Sequence, residues 1–306
     1  MKGQQKKMVD CSLKKILILS DGKKGHVNQS IALAKAICHQ TPTEFEIYEV
    51  TGKSFFKSLF DLIKYVKVIS PIYVIAAGRR TNLPLIICGL MRSVITIVLM
   101  RPQYPTRFFD WCVIPEHDGV KNKANVICTV GSLNDIHCSK SKVGDYDLIL
   151  LGGYSNEFRW NNESIIDQVE EIRERLSSRI ILTGSRRTPP TFFEKLKNTS
   201  LSSIECYTAD ECGADCYLES LLGARRVWVT MDSVNMVYEA LSAGKPVGIL
   251  ELPVVKKGRV FRGIKDLMDK NWLTPLSKVK SPHELTDIEI PTLNEAQRVA
   301  GIIFNG

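Results

Sequence analysis

Along the chain, short β-branched apolar runs alternate with stretches in which apolar residues recur every three or four positions. The runs predict strands at 15–19, 44–50, 72–76, 94–99, 111–114 and 125–129. A second series falls at 147–151, 179–183, 204–207, 227–230 and 247–250. Helical spacing fills many of the intervals, as at 30–38, 163–176 and 234–243, and a last helix is predicted at 293–304. Strands alternating with helices imply parallel sheets covered on both faces. The two series, separated by the polar stretch 139–145, predict an α/β protein of two Rossmann-like, doubly wound domains. The first spans 1–143 and the second 144–290, with 291–306 a C-terminal helix packing back across the junction.

The most apolar stretch, 83–100, approaches the length of a membrane span. Arg92 and Ser93 divide it and Gly89 weakens it, so it reads as a helix at 83–91 and a buried strand at 94–99. The helix expected at 53–69 is amphipathic. Phe56, Phe60, Ile63 and Val66 form its apolar stripe, and Lys53, Lys57, Lys64 and Lys67 mark its polar side. Such a stripe more often packs on a sheet than lies on a membrane, although a basic amphipathic helix suits an anionic lipid surface.

Composition narrows the picture. The 306 residues are 44% hydrophobic and 24% charged, enough apolar material for packed cores and unlike a disordered chain. The formal net charge of +8 lies wholly in the first half: residues 1–150 carry 21 basic and 12 acidic side chains, the rest 20 and 21. A basic N-terminal domain facing something anionic is therefore expected. No aromatic-and-basic recognition motif accompanies that charge, so nucleic acid is not the expected partner. Nine cysteines without a tight framework, and no apolar leader in the first 15 residues, predict a cytoplasmic protein with reduced thiols. The spacing of Cys206, Cys212 and Cys216 fits no common zinc pattern.

Ligands of doubly wound sheets bind beyond the carboxyl ends of strands, and those positions carry the chemistry. After the first strand comes Ser20 to Gln29, read as a loop with Gly22, Lys23, Gly25, His26, Asn28 and Gln29 before the helix at 30–38. Backbone N–H groups at such a helix start attract an anion. His26 is the side chain there suited to proton transfer near neutral pH. Arg79 and Arg80 follow the third strand, and Glu116 and His117 the fifth. In the second domain Gly152 and Gly153 permit close backbone approach, with Ser155 beyond them. Thr183, Ser185, Arg186 and Arg187 offer hydroxyls and planar guanidinium forks for a diphosphate, and Arg159 is placed to join them. Asp232 or Ser233 is expected to cap the next helix, with Asp232, Asn235 or Met236, and Glu239 along one face. Gly244 stops that helix. A carboxylate such as Glu239 near a sheet's carboxyl edge suits ribose hydroxyls; the structural alternative is an exposed helix residue. No Walker A or G-x-G-x-x-G pattern is present. Asp145-Tyr146-Asp147 matches D-x-D but precedes a strand, so it is not read as a metal site.

The segments Asp21 to Gln29, Gly78 to Thr81, Pro115 to Asp118, Thr183 to Pro189 and Asp232 to Met236 resemble the mitochondrial-fission "elongated mitochondria" (ELM-like) family, in a bacterial-type member. The resemblance runs in order over about residues 14–304. Its plant members imply recruitment of a dynamin-like partner at a membrane surface, the non-catalytic alternative for this chain. More distantly the chain is similar to GT-B glycosyltransferases of the lipid-II-forming N-acetylglucosaminyltransferase type, whose two domains face a cleft. Gly22 to His26 resembles that enzyme's glycine loop and histidine, and Asp232 to Glu239 its donor helix. Lysines here replace loop glycines, and the donor loop is reduced to Gly152-Gly153. The resemblance implies an NDP-sugar donor, by preference a UDP-sugar, with Arg186, Arg187 and the Gly153 backbone on the diphosphate and Glu239 on the ribose. It further implies His26 as base for an acceptor hydroxyl, possession of no metal, and a lipid-linked acceptor that would bring the protein to the inner face of a membrane.

Overall fold

A computed structural model describes residues 14–50, 55–91, 93–119, 123–138, 144–175, 179–280, 285 and 293–305. The chain divides into two compact units, Met1–Thr129 with Glu295–Gly306, and Val130–Asn294. Residues 130–138 fall in the second unit because Val130 and Ile136 pack on its core. Arg92, Lys53 and the 139–143 part of the expected linker lie outside the described residues.

The first unit holds six parallel strands: β1 (Lys14–Ser20), β2 (Thr43–Glu49), β3 (Tyr73–Ala77), β4 (Ile95–Leu99), β5 (Trp111–Pro115) and β6 (Val126–Thr129). Their order across the sheet is β2-β1-β3-β4-β5-β6. Helices α1 (Lys24–Gln40), α2 (Phe55–Ile69) and α3 (Arg79–Gly89) make the crossovers. Successive strand residues point to opposite faces. Leu17 and Leu19 join a core with Leu62 and Val66 of α2 and Leu85 of α3. The alternate residues Ile16 and Ile18 are equally buried, so both faces are covered, as all-parallel sheets require.

Two expectations shift here. Helix α1 begins at Lys24, six residues before the periodic segment, so His26, Asn28 and Gln29 sit on helix and not in a loop. The buried side of α2 is Leu62 and Val66, while Phe60 is 59% exposed with the Lys64 ammonium 4.5 Å above its ring. An i, i+4 step from Leu62 to Val66 faces the sheet, and Phe60, two residues before Leu62, lies off that face. The side chains of Phe56 and Lys57 lie outside the described residues. No described helix is long and apolar enough to cross a membrane.

The second unit also holds six parallel strands: β7 (Tyr146–Leu151), β8 (Arg179–Gly184), β9 (Glu205–Tyr207), β10 (Arg226–Thr230), β11 (Val247–Leu250) and β12 (Leu273–Pro275). Between them run α4 (Asn162–Arg175), α5 (Pro190–Leu196), α6 (Ala209–Gly223), α7 (Val234–Ser242) and α8 (Arg259–Asp269). The order β12-β11-β10-β7-β8-β9 is that of a dinucleotide-binding sheet. At its amino edge Asp147 and Arg226 are register partners on β7 and β10. Both are buried, with Arg226 Nη2 donating to Asp147 Oδ2 at 2.9 Å. The D-x-D aspartate is therefore spent on a structural ion pair. The final helix, α9 (Glu295–Asn305), belongs to the first unit and packs on α1.

Candidate functional site

Strand order decides where each sheet opens. Where it reverses, neighbouring crossovers leave toward opposite faces and a crevice forms at the carboxyl edge. In the first unit the reversal lies between β1 and β3. Asp21 follows β1 and Gly78 follows β3, so the segment Asp21 to His26 meets Gly78 at that point.

The contacts there are close. Gly22 turns the chain at φ +80°, with its N–H on the Ser20 hydroxyl at 3.0 Å. The Lys23 N–H bonds Asp21 Oδ1 at 3.2 Å. His26, in the first turn of α1, places Nδ1 3.0 Å from both Asp21 carboxylate oxygens. The Asp21 side chain is 2% exposed and that of His26 21%. A carboxylate beside Nδ1 favours the tautomer with the proton there, leaving Nε2 as a base. Gly78 has φ +94°, and a Cβ on it would lie 2.4 Å from His26 Nδ1 and 2.7 Å from Asp21 Oδ2. Only glycine leaves room for the pair.

The other first-unit candidates separate. Gly22, Lys23, Gly25 and Asn28 are exposed, and Arg79 and Arg80 stand exposed at the start of α3. Gln29 is buried, and its amide donates to the Gly25 carbonyl at 3.2 Å, so it serves its own helix. Glu116 and His117 lie on a 3-10 turn after β5, which β4 separates from β3.

In the second unit the reversal lies between β7 and β10. Gly152 donates to the Thr230 hydroxyl at 2.7 Å and Gly153 to Asp232 Oδ2 at 2.9 Å. A Cβ on Gly152 would come within 2.2 Å of Asp232 Oδ2, and one on Gly153 within 2.0 Å of the Arg187 carbonyl oxygen. The paired glycines thus let two loops and a carboxylate close over the strand ends. The Ser185 N–H bonds the Leu151 carbonyl at 2.9 Å, and the Ser185 hydroxyl donates to the Gly152 carbonyl at 2.5 Å. Ser155 accepts the Phe158 N–H at 3.1 Å. Ser185 and Ser155 are committed to shaping their loops.

Several roles read from sequence change accordingly. Asp232 does not cap α7: its fully buried carboxylate turns back to Gly153 and to Arg187 Nη1 at 2.8 Å. Burial pushes its acidity toward the protonated form, opposed by that guanidinium. Ser233 holds the cap position with no side-chain cap bond. Arg187 also donates to the Tyr154 carbonyl at 3.1 Å, so much of its fork is spent internally. Arg186 is exposed and makes no ion pair among the described residues. Arg159 is exposed on the strip that pairs Phe158 with Val254. Met236 packs against the core. Thr183 Oγ1 and Asp232 Oδ1 are buried without a hydrogen-bond partner among the described residues.

Glu239 is half-buried on α7, not an exposed helix residue, and its Oε2 accepts the Tyr217 hydroxyl of α6. Burial raises the Glu239 pKa, with the Tyr217 hydrogen bond opposing, and burial raises that of Tyr217 well above its ordinary value. Gly244, at φ +69°, ends α7 as the sequence predicts. Asp21 and Gly78 entered the sequence reading only as ends of family-like segments, with no role at the site, and Tyr217 did not enter it. The Asp21 spacing, a strand-end acid five residues before a histidine on the following helix, is a usable signal. Tyr217 offers none, since its contact joins two helices.

Comparisons with known proteins agree with this architecture. Acinetobacter baumannii MurG is 14% identical with a TM-score of 0.55, covering 96% of this chain and 100% of that one. A UDP-GlcNAc 2-epimerase from Neisseria meningitidis, solved bound to UDP-GlcNAc, is 10% identical with a TM-score of 0.56, covering 96% and 99%. At these identities the likeness establishes the fold, which is of the GT-B type. The uncharacterized protein RP120 of Rickettsia prowazekii (strain Madrid E) is 23% identical over 94% of this chain and 97% of its own length. The mitochondrial fission ELM1 family matches residues 24–305, and the chain belongs to that family.

Proposed function

We propose that the protein is a nucleotide-sugar-dependent glycosyltransferase. The observation that carries this reading is the second unit's dinucleotide-type strand order, with Gly152 and Gly153 after β7 and Glu239 on the helix after β10 at its reversal point, and Arg186 on the loop after the neighbouring β8. The exposed Arg186 guanidinium and the Gly153 loop meet the donor diphosphate, with Arg187 and Asp232 holding that loop in shape. Glu239 accepts hydrogen bonds from the ribose hydroxyls. Neighbours of the same fold are solved with UDP or UDP-sugars, which favours a UDP-sugar over other donors.

Asp21 orients His26, whose Nε2 takes the proton of an acceptor hydroxyl as its oxygen attacks the anomeric carbon. The new C–O bond forms as the bond to the diphosphate breaks, and the Arg186 guanidinium stabilises the charge that develops there. Lys23, Lys24, Arg79 and Arg80 supply a cationic rim for an anionic acceptor. Phe60 and Val68, both exposed beside Lys64 and Lys67, suit a lipid surface and so a lipid-linked acceptor.

Calorimetry against UDP, ADP, GDP and UDP-sugars tests the donor half. One nucleotide should bind, Glu239→Ala should weaken it, and His26→Ala should leave binding intact while abolishing donor turnover. Absence of binding by every nucleotide at millimolar concentration sinks the enzyme and favours the adaptor.

A further inference from the structure

Among the described residues eight cysteines are free thiols, and Cys212 and Cys216 lie together with Sγ atoms 2.7 Å apart. Residues four apart on a regular helix have Cβ atoms about 5–6 Å apart, whereas a disulfide needs about 3.5–4.5 Å. Helix α6 is not regular here. Gly213 has φ +54° and ψ −179°, so Cys212 ends one helical turn and Cys216 lies in the first turn of the next. A Cβ on Gly213 would meet nothing within 4 Å, so the backbone conformation, not packing, calls for glycine.

The two thiols differ in access. Cys212 is buried, and burial pushes its pKa up to about 11. Cys216 is half-buried and reachable from solvent. No group of three or more His, Cys, Asp or Glu among the described residues is placed to hold a metal ion. Two sulfurs meeting across a broken helix are arranged for a bond to each other.

We propose that Cys212 and Cys216 form a reversible intramolecular disulfide by exchange with a low-molecular-weight disulfide such as glutathione disulfide. Cys216, as the thiolate, attacks one oxidant sulfur, forming a mixed disulfide and expelling one glutathione thiolate. Cys212 loses its proton to solvent base and attacks Cys216 Sγ, expelling the second glutathione. One S–S bond forms in the protein as one breaks in the oxidant, and the two electrons lost by the cysteines reduce it to two thiols. The raised pKa of the buried Cys212 thiol makes closure faster in mild alkali, where more of it is thiolate. In a reducing compartment such a bond is a transient response, not a structural staple.

The full chain, reduced and then incubated with glutathione disulfide under native conditions at mildly alkaline pH, is acid-quenched, alkylated and peptide-mapped. A linked peptide joining Cys212 to Cys216 is expected, with an intact mass lower by two hydrogens and restored by dithiothreitol. Cys212→Ser should stop at a glutathione adduct on Cys216, and Cys216→Ser should leave Cys212 unmodified over the same period. Wild-type mapping alone decides the matter, whatever the folding of the variants. A stable glutathione adduct on Cys216 beside an alkylated Cys212, a bridge to another cysteine, or no reaction at either position overturns the proposal.

Discussion

Tyr217→Phe removes one hydroxyl and changes nothing else in shape. That hydroxyl donates to Glu239 Oε2 in a largely desolvated setting. A hydrogen bond to a charged group contributes about 1.5–3 kcal/mol, roughly tenfold to a hundredfold in the folding equilibrium. The loss depends on pH, and its sign follows from linkage. Burial already raises the folded Glu239 pKa above the ordinary carboxylate value, so stability from this group is greatest in acid and falls as pH rises toward the folded pKa. The Tyr217 bond opposes that rise by favouring the carboxylate. Without it the folded pKa climbs further and the window of declining stability widens. The variant should therefore sit close to wild type near pH 5 and fall progressively below it toward pH 8, with the full cost appearing once Glu239 is ionised. Denaturant melts of both proteins at pH 5, 6, 7 and 8 measure this directly. A penalty that is flat across pH, or larger in acid, would show that the phenol bonds the neutral acid equally well and that the reasoning is wrong.

Three further outcomes follow from the geometry. Asp147→Ala leaves the buried Arg226 without its counter-charge and should cost about 3–5 kcal/mol in urea denaturation, whereas Asp147→Leu with Arg226→Met should recover most of that loss; equal losses would mean the pair is not buried. Gly78→Ala places a Cβ 2.4 Å from His26 Nδ1 on a backbone at φ +94°. It should cost about 1–3 kcal/mol and displace the imidazole from Asp21, seen as a shift in the His26 ring signals by NMR; unchanged ring signals and melting would contradict the close packing. Gly153→Ala drives a Cβ against the Arg187 carbonyl at 2.0 Å, so the loop must move. Its urea midpoint should fall and nucleotide affinity with it, while a variant that binds normally would free Gly153 from the donor site.

Much of the two-sheet architecture was legible because strands buried on both faces must be apolar throughout, as in Ile16–Leu19 and Leu148–Leu151. β12 (Leu273–Pro275) was not, since three edge residues with a terminal proline carry too little pattern. The start of α1 was missed for a related reason. Lys24 to Gln29 carries a lysine, a glycine, a histidine and two amides, and no apolar repeat announces a helix before Ser30.

Chemistry was legible by residue type but not by direction. Asp232 and Arg187 stood out as charges at a sheet's carboxyl edge, yet they are spent on each other and on Gly153 and Tyr154. A sequence gives the spacing of charges but not whether a carboxylate faces outward from the loop or back beneath it. That choice is made by glycine: with no Cβ at 152 or 153, the Asp232 carboxylate can lie against the backbone, and the arginine is drawn in after it. Arg186, one residue earlier and without an ion pair among the described residues, is left as the outward cation. The same logic separates Asp21 from His26. Absence of a side chain at Gly78 is what allows the acid to be buried against the imidazole while Nε2 stays available. In both units, then, the glycines determine which charged group becomes scaffold and which remains for chemistry.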